Sequence, residues 1–411
     1  MSPDPDGHVE VEVGEVAHGG HCVARADGRV VFVRHALPGE RVRARLTEAA
    51  PEARFWRADA VEVLRPSADR VAAPCPAAGP GGCGGCDWQH ATLAAQRRLK
   101  AHVVAEQLRR LAGLTVAAPA EPATPDETGL GWRTRVRLAV DASGRAGLRV
   151  HRSHTVLPLP DCPLAHPALG LADLLGRPWP AGSEVTVVGG DADGSAPTVV
   201  VTKDGSSARV SGPARRHEHA AGRTWTVTGS GFWQVHPAAS TVLVAAVKQV
   251  LAPRPGERIL DLYSGVGLFA GSLAAHLGPH GAAVAVEGDR DAVRDARRSL
   301  HDVPTVRLVH APVRRYLTSA AAPDRVDLVV LDPPRSGARA AVCAEVARRR
   351  PRAVAYVACD PASLARDTAV LAEHGYALTS LRVLDLFPMT HHVECVAGFE
   401  PVAAPAEAVV G

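Results

Sequence analysis

The chain has 411 residues, 46% apolar and 22% charged, with a formal net charge of +3. That length exceeds one compact core and predicts two or three domains at roughly 150 residues each. The composition excludes a disordered or fibrous chain, and no uncharged apolar run of about 18 residues offers a membrane span.

The first fifteen residues are acidic and lack the charged-then-apolar layout of a secretory signal, so a cytoplasmic protein is expected. Short strands follow. Val9, Val11 and Val13 alternate with Glu10 and Glu12, and Asp27-Gly28 predicts a hairpin into the valine-rich run Arg29 to Val33. Val42 to Leu46 and Ala58 to Leu64 supply further strands. About five strands within residues 1–66 predict a small barrel of the OB type, a fold that often holds single-stranded nucleic acid. Arg25, Arg29, Arg34, Arg54 and Arg57 are candidates to face a phosphate backbone, or to form a solvated rim. The isoelectric point, about 8.5, is lower than the value above about 9 expected of a dedicated nucleic-acid-binding domain.

Residues 67–228 read as a β-rich central region. Cys75, Cys83 and Cys86 stand as C-x7-C-x2-C in a glycine-rich loop, with Cys162 further on in Asp161-Cys162-Pro163. Four such thiols can hold an iron–sulfur cluster or zinc. His90 to Leu111 carries Leu93, Leu99, Val103, Leu108 and Leu111 at helical spacing, and this helix could pack on the C-terminal unit. Residues 116–127 predict a linker. Arg135 to Val140 and Thr198 to Thr202 alternate as antiparallel strands do. Trp132 to Arg137 interleaves cations with other residues, as a β platform for RNA would.

From residue 229 to 402 buried strands alternate with helical patterns: Arg258 to Leu262, Ala283 to Glu287, Thr305 to His310, Val326 to Asp332 and Ala353 to Ala358. That order predicts βαβ units and a parallel, Rossmann-like sheet. Residues 403–411 read as a tail. After the first of these strands comes the turn Gly265-Val266-Gly267, where glycines let the backbone approach a ligand. About twenty residues on, Glu287 ends the next strand, placed to accept hydrogen bonds from ribose hydroxyls. Asp332-Pro333-Pro334-Arg335 closes a third strand at the sheet edge where open α/β folds bind ligands. Cys359 follows a fourth strand and could serve as a nucleophile. Glu394 lies beyond two histidines and, if desolvated, could act as a base.

Taken together, these motifs resemble the RNA 5-methyluridine methyltransferases, over nearly the whole chain. The resemblance implies an N-terminal TRAM domain and binding of S-adenosylmethionine. Phe232-Trp233-Gln234-Val235 matches the family's F-x-Q-V segment, so Gln234, Tyr263, Gly265, Gly267, Glu287 and Asp332 are expected at the methyl donor. Cys359, in Tyr356-Val357-Ala358-Cys359-Asp360-Pro361, falls on the nucleophile. Glu394 falls on the base. His236 stands where Asn is usual, and Leu268 where some members carry Asn. The cysteine set resembles the [4Fe–4S] site of the ribosomal members, with zinc the alternative, in a loop two residues longer than theirs. The implied partner is RNA, with 23S ribosomal RNA foremost, methylated at uridine C5 by a monomer. Transfer RNA as the acceptor, or a non-catalytic RNA-binding iron–sulfur protein, are the alternatives.

Overall fold

The computed structural model describes residues 4, 6–50, 52–125, 128–190, 194–229 and 231–402. The tail expected over residues 403–411 lies outside them. The N-terminal unit holds β1 (His8–Glu12), β2 (Cys22–Ala26), β3 (Arg29–Arg34), β4 (Arg41–Glu48) and β5 (Phe55–Arg65), in sheet order β1-β4-β5-β3-β2. Val9, Val11, Val31, Val33, Val42 and Ala44 point inward, as the alternation requires. Both residues of the β2–β3 turn have positive φ, Asp27 at 49° and Gly28 at 74°, the conformation that matches strand twist in a two-residue hairpin. Three register shifts between β4 and β5 bend the sheet. Hydrogen bonds from Gly14 N to Val23 O and from Val23 N to Glu15 O then bring its far edges together.

The central unit begins with α1 (Leu93–Ala112), capped by Thr92, whose side chain accepts Ala95 N, and ended by Gly113 at φ 68°. Leu99, Val103 and Leu108 are buried, but Leu111 is exposed, although the next residue, Ala112, still packs on the C-terminal core. A second helical face buries Val104 and Leu108 in the C-terminal core, and Lys100 forms a fully buried ion pair with Asp385. Residues 116–127 are more than a linker: β6 (Ala120–Pro122) joins the edge of the C-terminal sheet. Next come β7 (Arg135–Val140), β8 (Ala146–Arg149), β9 (Val156–Leu157), the short α2 (Leu171–Leu175), β10 (Glu184–Val188), β11 (Thr198–Lys203) and β12 (Ser206–Ser211). These strands form an antiparallel sheet in the order β12-β11-β10-β7-β8-β9. The hairpin β13 (Arg215–Ala220) and β14 (Arg223–Thr228) does not continue that sheet. Its Trp225 and Val227 enter the C-terminal core.

The C-terminal unit contains α3 (Ala239–Leu251), β15 (Arg258–Leu262), α4 (Leu268–Leu277), β16 (Ala282–Glu287), α5 (Arg290–Ser299), β17 (Val306–His310), α6 (Val313–Leu317), β18 (Leu328–Leu331), α7 (Ala340–Arg348), β19 (Ala353–Ala358), α8 (Pro361–Glu373), β20 (Tyr376–Asp385) and β21 (Glu394–Pro401). The sheet runs β17-β16-β15-β18-β19-β21-β20-β6. Strands β15 to β19 are parallel; β15, β18 and β19 are buried on both faces, as helix-covered central strands must be, while β17 at the edge is only partly covered. The chain steps outward from β15 to β16 on one side and to β18 on the other. That switch point is where open α/β sheets leave a crevice at their C-terminal ends. Thr228 N donates to Asp295 Oδ2 at 2.6 Å, tying the β13–β14 hairpin to α5 beside that crevice. Among the described residues no helix is long and apolar enough to cross a membrane.

Candidate active site

A cavity of about 920 Å³ occupies the crevice. Gln234, Tyr263, Gly265, Glu287, Asp332, Cys359 and Glu394 all line it. The turn after β15 is tightly wound: Tyr263 has φ 64° and Gly265 φ 54°. Gly265 N donates to Glu287 Oε2 at 2.8 Å, and Asp289 N donates to Glu287 Oε1 at 2.7 Å, which fixes the carboxylate at the cavity wall. Gly267 does not line the cavity. It starts α4 with φ 83°, and a Cβ there would stand 2.7 Å from Leu300 Cδ1, so its glycine serves packing. His236, in place of the family's Asn, accepts Ala238 N on Nδ1 at 3.1 Å and stacks on Trp132. Leu268 also lines the cavity.

Sheet register brings Cys359 and Glu394 together. Ala358 on β19 pairs with Cys395 on antiparallel β21, so the next rung sets Cys359 beside Glu394. Glu394 is 4% exposed. Desolvation and then the neighbouring Asp332 push its carboxyl well above the usual range, against the pull of Arg335. Burial, and after it the Glu394 charge, push the Cys359 thiol up to about 12, while Arg335 opposes them. Asp332 is held at about 7 by desolvation and by Asp261 and Glu287. Without a ligand, the cavity is thus lined by acids that resist ionisation, and a cation placed among them would favour both thiolate and carboxylate.

Three neighbours of Cys359 carried no assigned role in the sequence. Arg335 lines the cavity and approaches His392, with Nη2 3.4 Å from Nε2. Burial pushes the His392 imidazole down to about 3, so it is neutral. His18, from the N-terminal barrel, places Nε2 2.8 Å from Asp360 Oδ2. His18, Gly19 and Gly20 also wall a second chamber of about 150 Å³ that opens on Cys359, Arg335 and His392. No sequence signal links residues 18 and 360. The Asp332-Pro333-Pro334-Arg335 motif did mark Arg335.

The four cysteines gather at the end of the central unit. Cys83 N donates to Ala77 O, Gly84 N to Arg149 O, and Cys83 bridges to Val150. The loop folds back so tightly that a Cβ on Gly82 would lie 2.2 Å from Ala77 O. Gly85 N points at Cys83 Sγ at 3.3 Å, and Gln89 Nε2 at Cys86 Sγ at 3.1 Å. Cys75 and Cys162 both act electrostatically on Cys83, and Cys162 and Cys83 on Cys86. Among the described residues no three of these sulfurs lie within 4.8 Å of one another. In the segment Trp132 to Arg137, Arg135 and Arg137 lie on one face of β7 and repel each other. Trp132 is buried, Arg133 lies across its ring 5.2 Å from the centroid, and Arg137 pairs with Glu184.

Comparison with known proteins agrees with this architecture. Residues 8–61 match the TRAM domain family, and residues 321–400 match the tRNA (uracil-5-)-methyltransferase family. An RNA methyltransferase of Streptomyces avermitilis is 50% identical over 96% of this chain and 98% of its own. A 23S rRNA (uracil(1939)-C(5))-methyltransferase of Shewanella sp. ANA-3 is 34% identical over 94% of each chain. The crystal structure of Pyrococcus abyssi tRNA (uracil-54, C5)-methyltransferase with S-adenosyl-L-homocysteine shares the fold. It has a TM-score of 0.68 at 21% identity, covering 94% of this chain and 99% of that one. The chain belongs to the RNA uracil-5-methyltransferase family and is an S-adenosylmethionine-dependent enzyme of that activity.

Proposed function

We propose that the enzyme methylates C5 of a uridine in 23S ribosomal RNA, with Cys359 as nucleophile and Glu394 as base. The adjacent-rung placement of Cys359 and Glu394 at the cavity carries this reading. Relatives that act on 23S rRNA, alike over 94% of the chain, favour the ribosomal substrate. Gln234, Tyr263, Glu287 and Asp332, with the Gly265 backbone, hold the methyl donor, and Gly267 shapes the turn. When bound, that donor supplies an electrophilic methyl group on a positively charged sulfur.

Uracil C5 is a weak nucleophile on its own. The Cys359 thiolate adds to C6, and the electron pair moves through the ring to give a C5-nucleophilic enolate. C5 takes the methyl group, and S-adenosylhomocysteine leaves. The Glu394 carboxylate then removes the C5 proton, the ring double bond re-forms, and the Cys359–C6 bond breaks. Arg335 and the donor's positive charge work against the burial, and after it the Glu394 and Asp332 charges, that otherwise keep Cys359 protonated.

The four cysteines suit a [4Fe–4S] cluster. N–H groups aimed at the Cys83 and Cys86 sulfurs oppose the burial that raises both thiols, and the sulfurs are spread more widely than the roughly 3.8 Å edge of a tetrahedral zinc–thiolate site with 2.3 Å bonds. Cys75, Cys83, Cys86 and Cys162 would hold it, and it would brace the loop beside the barrel. Methyl transfer requires no electron from it.

Mapping 5-methyluridine in 23S and transfer RNA from a deletion strain tests the substrate. Loss of one or more 23S sites, restored by the parental gene and not by Cys359→Ala, is expected. Loss confined to transfer RNA would overturn the ribosomal assignment.

A further inference from the structure

Glu394 is reached through an irregular stretch. Leu386 to Val393, between β20 and β21, belong to no strand, and His392 and Glu394 from its far end line the main cavity. Met389, in its middle, is buried with φ 67°, a left-handed conformation that a side chain resists unless its surroundings impose it. Both backbone groups of Met389 are held by the central unit. Met389 N donates to Gln96 Oε1 of α1 at 2.7 Å, and its carbonyl accepts Asp87 N at 3.0 Å and Trp88 N at 3.1 Å.

Asp87 grips the same stretch a second time. Its Oδ2 accepts His391 N at 3.0 Å and His391 Nδ1 at 2.7 Å, which fixes both the backbone and the ring of that residue. The His391 ring in turn lies against that of His392, with centroids 4.2 Å apart. Gly20 closes over the pair: a Cβ there would stand 2.6 Å from His391 Cβ and 3.5 Å from Asp87 Cβ. Trp88 Nε1 donates to Gly20 O at 3.1 Å and keeps that loop in place. The next residue, Gln89, turns the other way, accepting Cys75 N at 2.9 Å and donating to Cys86 Sγ at 3.1 Å. Residues 86–89 thus join the thiol loop on one side and the stretch before Glu394 on the other.

We propose that Asp87 is a positioning residue for the second half of the reaction. Through Met389 and His391 it sets the path of residues 389–393, and so the direction in which Glu394 meets the methylated ring. In that step Glu394 takes the C5 proton, the C–H electron pair re-forms the C5–C6 double bond, and Cys359 departs as thiolate. Cys359 itself stands between β19 and α8, and the Asp360 cap of α8 accepts Ser363 N at 2.7 Å, a join that Asp87 does not touch. Loosening residues 389–393 therefore spares formation of the covalent adduct and slows its release. This deepens the reading of Glu394 as base and rests on it.

Single turnovers on a transcript carrying the uridine mapped above, quenched at intervals and run on a denaturing gel, separate adduct formation from release. Asp87→Ala is expected to slow release about tenfold, the worth of one hydrogen bond to a charged group, so that methylated protein–RNA adduct accumulates. Adduct formation and donor affinity should keep their parental values. Asp87→Asn, whose amide oxygen can still accept both His391 N–H groups, should restore release. His391→Ala, at a partly exposed site, should also trap the adduct and add nothing to Asp87→Ala; it decides the matter if Asp87→Ala unfolds. Parental release in both alanine variants would overturn the proposal, as would formation and release slowed alike. Glu394→Gln keeps the two readings apart. If it traps the adduct and the alanine variants do not, the base stands and the role of Asp87 falls. If it releases RNA at the parental rate, the base reading falls and takes the proposal with it.

Discussion

Replacing Lys100 with Met should be among the most damaging single changes outside the active site. Lys100 and Asp385 are both fully buried, and they join α1 to the end of β20. Lys100 Nζ also donates to Phe387 O at 2.9 Å, and Phe387 lines the main cavity. Asp385 Oδ2 already lacks a hydrogen bond, so removing the ammonium leaves the carboxylate without its compensating charge. Breaking one partner of such a pair costs about 3–5 kcal/mol, or two to four powers of ten in the folding equilibrium. Urea unfolding at neutral pH, followed by far-ultraviolet circular dichroism, measures it. Lys100→Met/Asp385→Leu should recover most of the loss, because it removes the stranded charge as well. A loss under about 1 kcal/mol in Lys100→Met, or a double variant no better than the single, would refute the argument.

His18→Ala should slow the Cys359 step while leaving donor affinity unchanged, and His18→Gln, which can still donate to Asp360 Oδ2, should restore the rate. The pair is partly exposed, so about fivefold is expected, the equivalent of about 1 kcal/mol. Equal single-turnover rates for all three chains would exclude this role. Stability should also fall with acid through the histidines. His21, His90 and His151 are pushed down to about 4 and His35 to about 3, in each case chiefly by burial. Unfolded imidazoles take up protons below about 6.5 while these four stay neutral. Their contribution is therefore complete above that pH and is lost as pH falls toward 4, at up to about 1.4 kcal/mol per pH unit for each. Urea midpoints flat from pH 7 to 4.5 would contradict it.

Much of the catalytic unit was legible because buried parallel strands are short apolar runs that end in chemistry. Arg258 to Leu262 and Ala353 to Ala358 are strands over the expected residues. The pairing of Cys359 with Glu394 was only implied, since register between strands 36 residues apart in sequence comes from tertiary packing. β6 was hidden in an Ala- and Pro-rich stretch because a three-residue edge strand carries no periodicity. The β13–β14 hairpin read like the strands before it, and only Trp225 in the C-terminal core reveals where it packs. His18 was illegible for a similar reason: its contact with Asp360 forms where two units meet, and no local pattern records that. Alternation in Trp132 to Arg137 shows which residues share a face, Arg135 with Arg137, and not what lies against it.

The central claim is a bond from one sulfur to a pyrimidine ring. RNA carrying 5-fluorouridine at the target blocks proton removal at C5, so the bond should persist after methyl transfer. Mass spectrometry of the digested complex should then find the methylated, fluorinated nucleotide on the peptide bearing Cys359, dependent on S-adenosylmethionine. Methylated RNA released without any such peptide, or the nucleotide attached to another cysteine, would contradict the account.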